Sequence, residues 1–216
     1  MRNAFQEELD SIHDTLVKMG KLVEESMSEA TKSLLQPNLE IAEKIIKQDD
    51  VIDDMQHELD ARTMMIIARQ SPVAGDLRTL VTSLRMSADL ERMGDMAHHI
   101  AKLARMRYPN KAVPEELVEI ITNMDRVAVS IIKKTTQSID TRNTTLALQL
   151  EIDDDEMDKL HRELFKILVD PNWKHGTEIA VDMTLLGRYY ERCADHAVSV
   201  GRRIYYMVNG EYNSQN

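Results

Sequence analysis

The sequence has few of the residues that interrupt helices or form tight turns. Its 216 residues include only seven glycines and five prolines, which are too few turn residues for a β-sandwich or a β-barrel. Leu, Ala, Glu, Lys, Met and Ile are abundant, and these residues favour helices. The composition therefore predicts an all-α protein, and 43% hydrophobic residues are enough to form a core.

Intramolecular disulfides, a leader sequence and membrane spans are not expected either. The single cysteine, Cys193, excludes an intramolecular disulfide, and the start MRNAFQEELD has neither the basic end nor the apolar centre of a signal peptide. The longest apolar runs, such as MMIIA at 64–68, are far shorter than the ~20 residues that span a bilayer. We therefore expect a cytoplasmic protein that associates with membranes only peripherally, through its partners.

Positive charge is scarce and is not clustered. The formal net charge is −10 and the pI is near 5.2, whereas proteins that bind nucleic acids usually carry a basic face or tract. Nucleotide-binding loops and a Ser-His-Asp order are absent from the sequence as well. These absences exclude nucleic acid as an expected partner and argue against a hydrolase.

Prolines, glycines and capping residues divide the chain into six predicted helices. Pro37 ends the first helix, Ser71 is the expected N-cap of the third with Pro72 at its first position, and Gly210 ends the sixth. The segment YPNKAVPEEL at 108–117 contains two prolines and is the expected linker, with Pro114 starting the fourth helix. The predicted helices cover about 4–35, 39–70, 72–107, 114–139, 144–169 and 176–209.

An internal duplication is visible at two offsets. Glu-Arg-x-x-Asp occurs at 91–95 and again at 191–195, which is an offset of 100. The segment DDVIDDMQHEL at 49–59 matches DDEMDKLHREL at 154–164 with an offset of 105. The duplication predicts two tandem three-helix bundles with long helices and short loops, one in residues 1–108 and one in 109–216.

The duplicated segments contain acidic residues four positions apart. Residues with this spacing lie on one side of a helix, one turn apart, and each repeat has two such pairs on neighbouring helices. Carboxylate-rich sites attract hard or borderline cations, and helices ~8–10 Å apart leave room for more than one ion. The predicted metal ligands are Asp49, Asp53, Glu91, Asp95, Asp154, Asp158, Glu191 and Asp195.

Apolar stripes predict which way these acids face. On the second, fifth and sixth predicted helices the apolar residues lie opposite the acid pairs, so the pairs are expected to face outward. On the second helix these apolar residues are Val51, Ile52, Met55, Leu59 and Ile66. On the third helix Leu77, Val81 and Leu84 are in line with Glu91 and Asp95, so its buried face is expected to change near residue 88. The alternative for every pair is a solvated acidic surface that binds no metal.

Four motifs together resemble the PhoU family over essentially the whole chain: SPVAGDLR, DLERMGD, YERCADHA and IYYMVNGE. The resemblance implies two three-helix bundles with surface metal clusters that are held by (Glu/Asp)-x-x-x-Asp pairs. The eight acids named above match these pairs, and Asp50 and Asp155 are adjacent candidates. The expected ions are iron or zinc, with magnesium or manganese as alternatives.

The chain departs from the family's motif at several positions. Ser199 and His99 replace the usual Asn, and Tyr189 stands where the first repeat has Asp89. The second site is therefore expected to have fewer ligands and the first to be better occupied. His98 and His99 are either nitrogen ligands or solvated side chains near a helix end.

Three further residue types allow two interpretations each. Arg92 and Arg192 either orient a ligand carboxylate or form plain salt bridges. Cys193, which aligns with Met93, either packs in the core or takes part in chemistry, and packing is the better interpretation. The methionines at 64–65, together with Met86, Met93 and Met96, either form an adaptable binding surface or fill the core, and the core is the better interpretation.

The resemblance implies a function without catalysis. It predicts a homodimeric negative regulator of phosphate uptake and phosphate-starvation signalling, which contacts the ATPase subunit of the phosphate ABC transporter and the phosphate-sensor histidine kinase. One alternative is a carboxylate-bridged metal enzyme or a metal-storage bundle, although such sites use Glu-x-x-His spacing and point into the bundle. Another is a purely structural bundle whose acids only keep the protein soluble.

Overall fold

The computed structural model describes residues 2–213, with side chains from residue 4, and confirms the all-α prediction. Within this range there are six long helices, a single 3-10 turn at Glu115–Leu117 and no strand. The helices are α1 Arg2–Leu35, α2 Leu39–Gln70, α3 Ala74–Arg107, α4 Val118–Thr141, α5 Thr144–Leu168 and α6 Gly176–Asn209. None of the described helices is long and apolar enough to cross a membrane.

Local capping explains where several of these helices begin or end. The side chain of Asn38 accepts a hydrogen bond from the backbone of Ile41 at the start of α2, and Asn143 caps α5 in the same way. Gly210 ends α6 at a positive φ of 85°, where glycine is favoured. The prediction for Ser71 was wrong: it closes α2 in the left-handed conformation and donates its backbone N–H to the carbonyl of Ile67.

Helices α1 and α4, which are equivalent in the two repeats, pack antiparallel on each other. Thr31 donates a hydrogen bond to Asp125, and a Cβ added to Gly20 would lie against Thr136. These contacts are counterparts, because residues 31 and 136 differ by 105 and so do residues 20 and 125. A contact that recurs with its two sides exchanged indicates a pseudo-two-fold axis between the repeats.

Helices α3 and α6 show the same relationship at the offset of 100. Arg78 donates a hydrogen bond to the carbonyl oxygen of Met207, and Arg107 donates one to Glu178. Residues 78 and 178 differ by 100, and so do residues 107 and 207. The second contact is therefore the first one with the two repeats exchanged. The two predicted bundles therefore pack against each other through α1 with α4 and α3 with α6, while the domain boundary at residue 108 stays a prediction.

The apolar stripes predicted for α5 and α6 lie in the core. Met157, Leu164, Leu186 and Cys193 are buried, and burial raises the pKa of the Cys193 thiol to about 12. This confirms that the cysteine is a packing residue. On α2 the prediction was right for Ile52, Leu59 and Ile66 but wrong for Val51, which is exposed.

The predicted change of buried face on α3 does not occur. Residues at alternating spacings of three and four stay buried from one end of the helix to the other, while Leu77 and Val81 remain exposed. The reason is that α3 packs between α1, α2 and α6 along its length, so one continuous face is covered. The continuously buried residues are Leu80, Ser83, Ser87, Leu90, Gly94, Ala97, Ala101 and Ala104.

Candidate metal centres

The first acidic group lies in the groove between α2 and α3, and we call it the first acid cluster: Asp49, Asp53, Glu91 and Asp95. The expectation that these acids face outward was wrong for Asp49, which is only 8% exposed. Gly94 explains its position through Ile52, which follows Asp49 by three positions: a Cβ at Gly94 would lie only 3.1 Å from Cδ1 of Ile52, and 3.7 Å from Oδ1 of Asp49. Without that Cβ, α2 approaches α3 closely and the carboxylate enters the groove.

The pKa values show that the four carboxylates are close enough to repel one another. Burial raises the pKa of Asp49 to about 6, and the charges of Asp53 and Asp95 add to the effect. The pKa values of Asp53 and Glu91 are also raised, first by burial and then by the charge of Asp95. The structure therefore brings the two acid pairs of this repeat together across the groove.

Some carboxylate oxygens of the first acid cluster lack protein partners. Oδ1 of Asp49 and Oδ1 of Asp53 are buried and accept no hydrogen bond from the described residues. Nδ1 of His98 lies against the other oxygen of Asp49, although it does not meet hydrogen-bond geometry. Burial lowers the pKa of His98, which favours a neutral imidazole able to bind a cation.

The two neighbouring histidines have different surroundings. The His98 side chain is 15% exposed and lies against Asp49 of the first acid cluster, so the solvated alternative was wrong for it. His99 instead stacks on Tyr189 of α6, with ring centroids 5.0 Å apart. Of these two histidines, His98 therefore lies against an acid of the first acid cluster and His99 against an aromatic ring of α6.

Arginine occupies the outer part of the first acid cluster. Nη1 of Arg92 lies 2.8 Å from Oδ2 of Asp95, and Nε lies 3.3 Å from Oε2 of Glu91. Arg92 is thus in a salt bridge with both acids of its own helix. The salt-bridge interpretation is correct for this arginine in the state that the structure describes.

The second acid cluster comprises Asp154, Asp158, Glu191 and Asp195 in the groove between α5 and α6. Burial raises the pKa of Asp154 to about 6, followed by the charges of Asp195, Asp158 and Glu191. Oδ1 of Asp154 is buried without a hydrogen-bond partner among the described residues. Asp195, in contrast, is exposed. The second acid cluster therefore repeats the arrangement of the first but is more open to solvent.

Different arginines pair with the acids of the second acid cluster. Arg188 pairs with Glu191, and Arg162 lies 3.0 Å from Asp158. Arg192, which was predicted to act like Arg92, forms no ion pair with these acids in the described chain. Counterions in the two repeats therefore come from different positions.

His161 lies beside the second acid cluster, and sequence reasoning missed it. Burial and then the charge of Asp195 raise the pKa of Glu191, an increase that Arg188 and His161 partly oppose, and a Cβ at Gly187 would lie 3.1 Å from Cδ2 of His161. The sequence could have predicted this position, because His161 follows Asp158 by three residues and therefore lies on the same side of the helix. Each acid cluster thus has one histidine beside it, His98 of α3 at the first and His161 of α5 at the second.

Asp89 is not part of the first acid cluster. Its Oδ2 accepts a hydrogen bond from Nε of Arg203 at 2.6 Å, and its Oδ1 lies 3.1 Å from Nδ1 of His196. Both partners belong to α6. Tyr189 therefore removes no ligand from the second acid cluster, and the argument for fewer ligands there was wrong at this position.

The donor types suit a metal, but the side chains are not arranged around one. Among the described residues, no three His, Cys, Asp or Glu side chains form a group that could hold an ion. Ion pairs with arginine already engage Asp95 and Glu191. The buried oxygens of Asp49, Asp53 and Asp154, however, have no cationic or hydrogen-bonding partner, and carboxylate oxygens bind hard and borderline cations. The residues present therefore supply the donor atoms that such cations bind, but in this arrangement they do not surround an ion.

Comparisons with known proteins cover almost the whole chain. The family model described as PhoU domain matches residues 16–104 and 121–204. A phosphate-specific transport system accessory protein PhoU homolog 2 from Mycobacterium tuberculosis is 42% identical over 98% of this chain and 100% of its own. A PhoU homolog 1 from Mycobacterium leprae is 41% identical over 98% and 96%. A homolog from Clostridium acetobutylicum is 31% identical over 97% and 96% of the respective chains.

Two crystal structures have the same fold. PhoU from Pseudomonas aeruginosa superposes with a TM-score of 0.88 at 26% identity, over 96% of this chain and 100% of its own. The phosphate transport system regulatory protein PhoU from Streptococcus pneumoniae gives a TM-score of 0.87 at 24% identity, over 97% and 99%. Because its identity to this chain is only 24%, the Streptococcus pneumoniae structure shows that the fold is shared and nothing further.

Proposed function

The chain belongs to the PhoU family, and on that premise we propose that it is an accessory protein of a phosphate-specific transport system. The observation that carries the proposal is similarity along the full length of relatives that bear this description. An accessory role without catalysis agrees with the absence of nucleotide-binding and nucleophile motifs from the sequence.

Within that role, we propose a negative regulator of phosphate uptake and of phosphate-starvation signalling. It would contact the ATPase subunit of the phosphate ABC transporter and the phosphate-sensor histidine kinase at the cytoplasmic side of the membrane, as a homodimer. Long helices with polar outer faces supply extended surface for such contacts. Regulation through docking requires no active site.

Deleting the gene tests the regulatory role. In phosphate-rich medium the deletion strain should show raised phosphate uptake and raised alkaline phosphatase activity, and a plasmid copy should restore both. Binding of the purified protein to the ATPase subunit and to the kinase should be measured separately, because either partner alone would explain one of the two readouts. Unchanged uptake and unchanged phosphatase in the deletion strain would refute the proposal.

We also propose that the two acid clusters bind metal ions, with iron or zinc expected and magnesium or manganese as alternatives. The first site would use Asp49, Asp53, Glu91 and Asp95, and the second Asp154, Asp158, Glu191 and Asp195. The support is the set of buried carboxylate oxygens without partners and their mutual repulsion. A bound cation would neutralise the acids and link the two helices of each groove.

Metal analysis after chelation and reloading tests this second proposal. The wild type should retain metal after desalting, and the double variant Glu91→Gln/Asp95→Asn should retain less with unchanged helicity by circular dichroism. Asp54→Asn on the outer side of α2 is the matched control. Retention equal to that of the wild type in the double variant would rule out the first site, and turnover of oxygen or peroxide would favour the metal-enzyme alternative.

A further inference from the structure

The hairpin formed by the end of α2 and the start of α3 has apolar side chains on its outer side as well as in the core. Ile66 and Leu80 are buried, whereas Met64 is 61% and Val73 is 75% exposed. A surface helix of a globular protein usually turns a polar face outward, so this exposed apolar surface indicates an interaction site. We call it the hairpin face, and its residues are Met64, Met65, Val73, Leu77 and Val81, with Arg69 and Arg85.

The hairpin face is continuous across the two helices. Ser87 of α3 donates a hydrogen bond to Asp60 of α2, so the helices lie side by side here. Because they run antiparallel, Met64, one turn after Asp60, is level with the turn of α3 that contains Val81. Leu77 lies one further turn toward the start of α3, and like Val81 it is exposed. The apolar side chains of the two helices therefore form one surface.

The connection at the end of the hairpin projects from the bundle. Residues 68–71 and 73–77 are all exposed. Five consecutive exposed residues are more than one helical turn, so every side of the first turn of α3 faces solvent. A projecting end suits a layer that it can enter, whereas a partner helix requires a groove.

The hairpin is basic in a chain whose net charge is −10. Residues 61–88 contain four arginines and one acid, Asp76. Asp76 precedes Arg85 by nine residues, which places it on the opposite side of α3. The equivalent segment of the second repeat, 166–188, contains three basic and three acidic residues. Of the two equivalent hairpins, the first is therefore the positively charged one.

Two of the four arginines flank the apolar side chains and have no partner. Arg69 and Arg85 are exposed, and neither forms a hydrogen bond or an ion pair with the described residues. Arg62 and Arg78, in contrast, donate hydrogen bonds within the chain. The chain has 37 acidic side chains, and yet none of those described pairs with Arg69 or Arg85. Their charge is therefore available to an anionic surface.

We propose that the hairpin face contacts an anionic lipid bilayer directly, with its apolar side chains in the headgroup region and Arg69 and Arg85 against lipid phosphates. Apolar side chains beside basic ones are typical of surfaces that lie on membranes, and anionic lipids attract each basic side chain near the bilayer. The contact goes beyond the proposed function, which requires no lipid. It adds a lipid contact to the membrane association through partners that the sequence predicts.

A second copy of the chain fits this face less well than a bilayer does. In a two-fold symmetric contact the same face is present on both sides, so Arg69 and Arg85 of the two copies would approach one another with no acid of the hairpin face between them. Like charges that meet across an interface weaken it. An acidic protein partner is the other occupant that the test must distinguish from lipid.

The first acid cluster does not prevent contact with an anionic surface. Glu91 follows Val81 by ten residues, and a rise of 1.5 Å per residue gives roughly 15 Å along α3. Charges in solvent are largely screened beyond a Debye length, which is about 8 Å at physiological ionic strength. The end of the hairpin therefore reaches lipid while the acids stay beyond the range of its charge.

Vesicle binding by the purified full chain tests the proposal. Vesicles of phosphatidylglycerol and phosphatidylcholine in equal parts are compared with vesicles of phosphatidylcholine alone by co-sedimentation. A chelator is present so that metal ions cannot bridge the acids and the lipids. The variants are Val73→Asp, Val81→Asp and Arg69→Gln/Arg85→Gln.

The chain offers matched controls for these variants. Val181→Asp is the control for Val81→Asp, because Val181 is the equivalent residue of the second repeat and is 51% exposed. Lys133→Gln/Lys159→Gln removes two positive charges from exposed sites on α4 and α5. Val73 occupies the N-cap position of α3 without a capping hydrogen bond from its side chain, and aspartate is favoured there. Val73→Asp therefore tests the face without threatening the fold.

We expect the wild type to bind the anionic vesicles and not those of phosphatidylcholine alone, and to bind more weakly as sodium chloride is added. Val73→Asp and Val81→Asp should each weaken binding at least about tenfold, because each removes an apolar contact and adds a negative charge. Arg69→Gln/Arg85→Gln should weaken binding about 25-fold, which is roughly fivefold for each arginine. Both control variants should stay within about twofold of the wild type.

Several results would overturn the proposal. One is a wild type that does not bind the anionic vesicles, and another is equal binding to phosphatidylcholine alone. Equal losses for Val81→Asp and Val181→Asp would show that any added negative charge weakens binding. If the vesicles are not bound, and Val73→Asp weakens binding to the ATPase subunit or converts a homodimer into monomers in analytical ultracentrifugation, a protein covers the hairpin face instead. The vesicles contain no protein partner, so a failure of this proposal leaves the proposed function standing.

Discussion

Arg203 of α6 donates a hydrogen bond from Nε to Oδ2 of Asp89 on α3 at 2.6 Å, and so joins the two repeats through a largely buried ion pair. Asp89 is 7% exposed. The neighbouring Arg202 also pairs with an acid, Glu151, but at the surface. Adjacent arginines therefore make a buried and an exposed ion pair.

This contrast predicts different costs for two adjacent substitutions. Arg203→Ala leaves the buried carboxylate of Asp89 with only His196 beside it, and should lower the free energy of unfolding by about 2 kcal/mol. Arg202→Ala should lower it by less than ~1 kcal/mol, because surface ion pairs contribute little. Urea unfolding at pH 7 measures both. Equal losses for the two variants would show that the link between α3 and α6 is no stronger than a surface contact.

Two glycines should respond to alanine in opposite directions. A Cβ at Gly201 of α6 would lie 2.6 Å from the backbone oxygen of Ala147 and 3.0 Å from Leu150. A Cβ at Gly75 in the first turn of α3 would meet nothing within 4 Å. Gly201→Ala should therefore destabilise the protein by about 2–4 kcal/mol, because α5 and α6 must separate. Gly75→Ala should stabilise it by about 0.5–1 kcal/mol.

The midpoints of thermal unfolding check this pair directly. Gly201→Ala should unfold at a lower temperature than the wild type and Gly75→Ala at a slightly higher one. If Gly201→Ala leaves the unfolding midpoint unchanged, α5 and α6 are farther apart than the structure shows. Both variants lie in helices and remove the same residue type, so the helix propensity of alanine cannot explain a difference in sign.

The fold could be predicted from the sequence because its signals are local. Pro37, Asn143 and Gly210 mark helix ends through backbone constraints and capping, which do not depend on the rest of the molecule. The error at Ser71 has a physical reason: a serine between two helices suits the end of one as well as the start of the next. Only the conformation of the connection decides between them.

The environment of the acids could be predicted only in part. Spacing placed Asp49 and Asp53 on one side of α2, but it could not show that Gly94 lets α3 approach so closely that Asp49 is buried. Helical periodicity distinguishes a core face from an outer face, whereas a groove between two helices is neither. The same limit applies to Met64, which packing leaves exposed although methionine was expected to fill the core.

A buried carboxyl between α1 and α4 should make stability depend on pH. Burial raises the pKa of Asp125 to about 6, and the hydrogen bond from Thr31 opposes this only partly. The unfolded-state pKa is near 3.8, so between pH 4 and 6 the folded state binds more protons than the unfolded one. Stability from this group is therefore present at low pH and is lost as pH rises through about 6.

Asp125→Asn should remove this part of the pH dependence. Between pH 5 and pH 8 the wild type should lose more free energy of unfolding than the variant, by an amount on the order of 2 kcal/mol. Urea unfolding at the two pH values gives the difference. Glu119→Gln, an exposed change on the same helix, is the control and should leave the wild-type slope. Identical slopes for Asp125→Asn and the wild type would mean that Asp125 ionises as it does in the unfolded chain.

Removing charge from the first acid cluster should have opposite effects with and without metal. Asp49 is buried and its pKa is raised to about 6 by burial and by the neighbouring acids, so at pH 8 the metal-free protein holds a poorly solvated negative charge. Asp49→Asn should therefore stabilise the metal-free protein at pH 8 by an amount on the order of 2 kcal/mol. A metal that binds only the folded state stabilises the wild type further, and the variant should gain less from it.

Thermal unfolding in chelator and in excess zinc distinguishes these contributions. In chelator Asp49→Asn should unfold at a higher temperature than the wild type. In zinc the difference between the two unfolding midpoints should become smaller or change sign. Asp54→Asn should unfold at the same temperature as the wild type in both conditions. If Asp49→Asn is less stable than the wild type in chelator, then protein partners rather than a cation hold that carboxylate. If zinc raises both midpoints equally, Asp49 is not a ligand, because a ligand's removal must reduce the stabilisation that the metal confers.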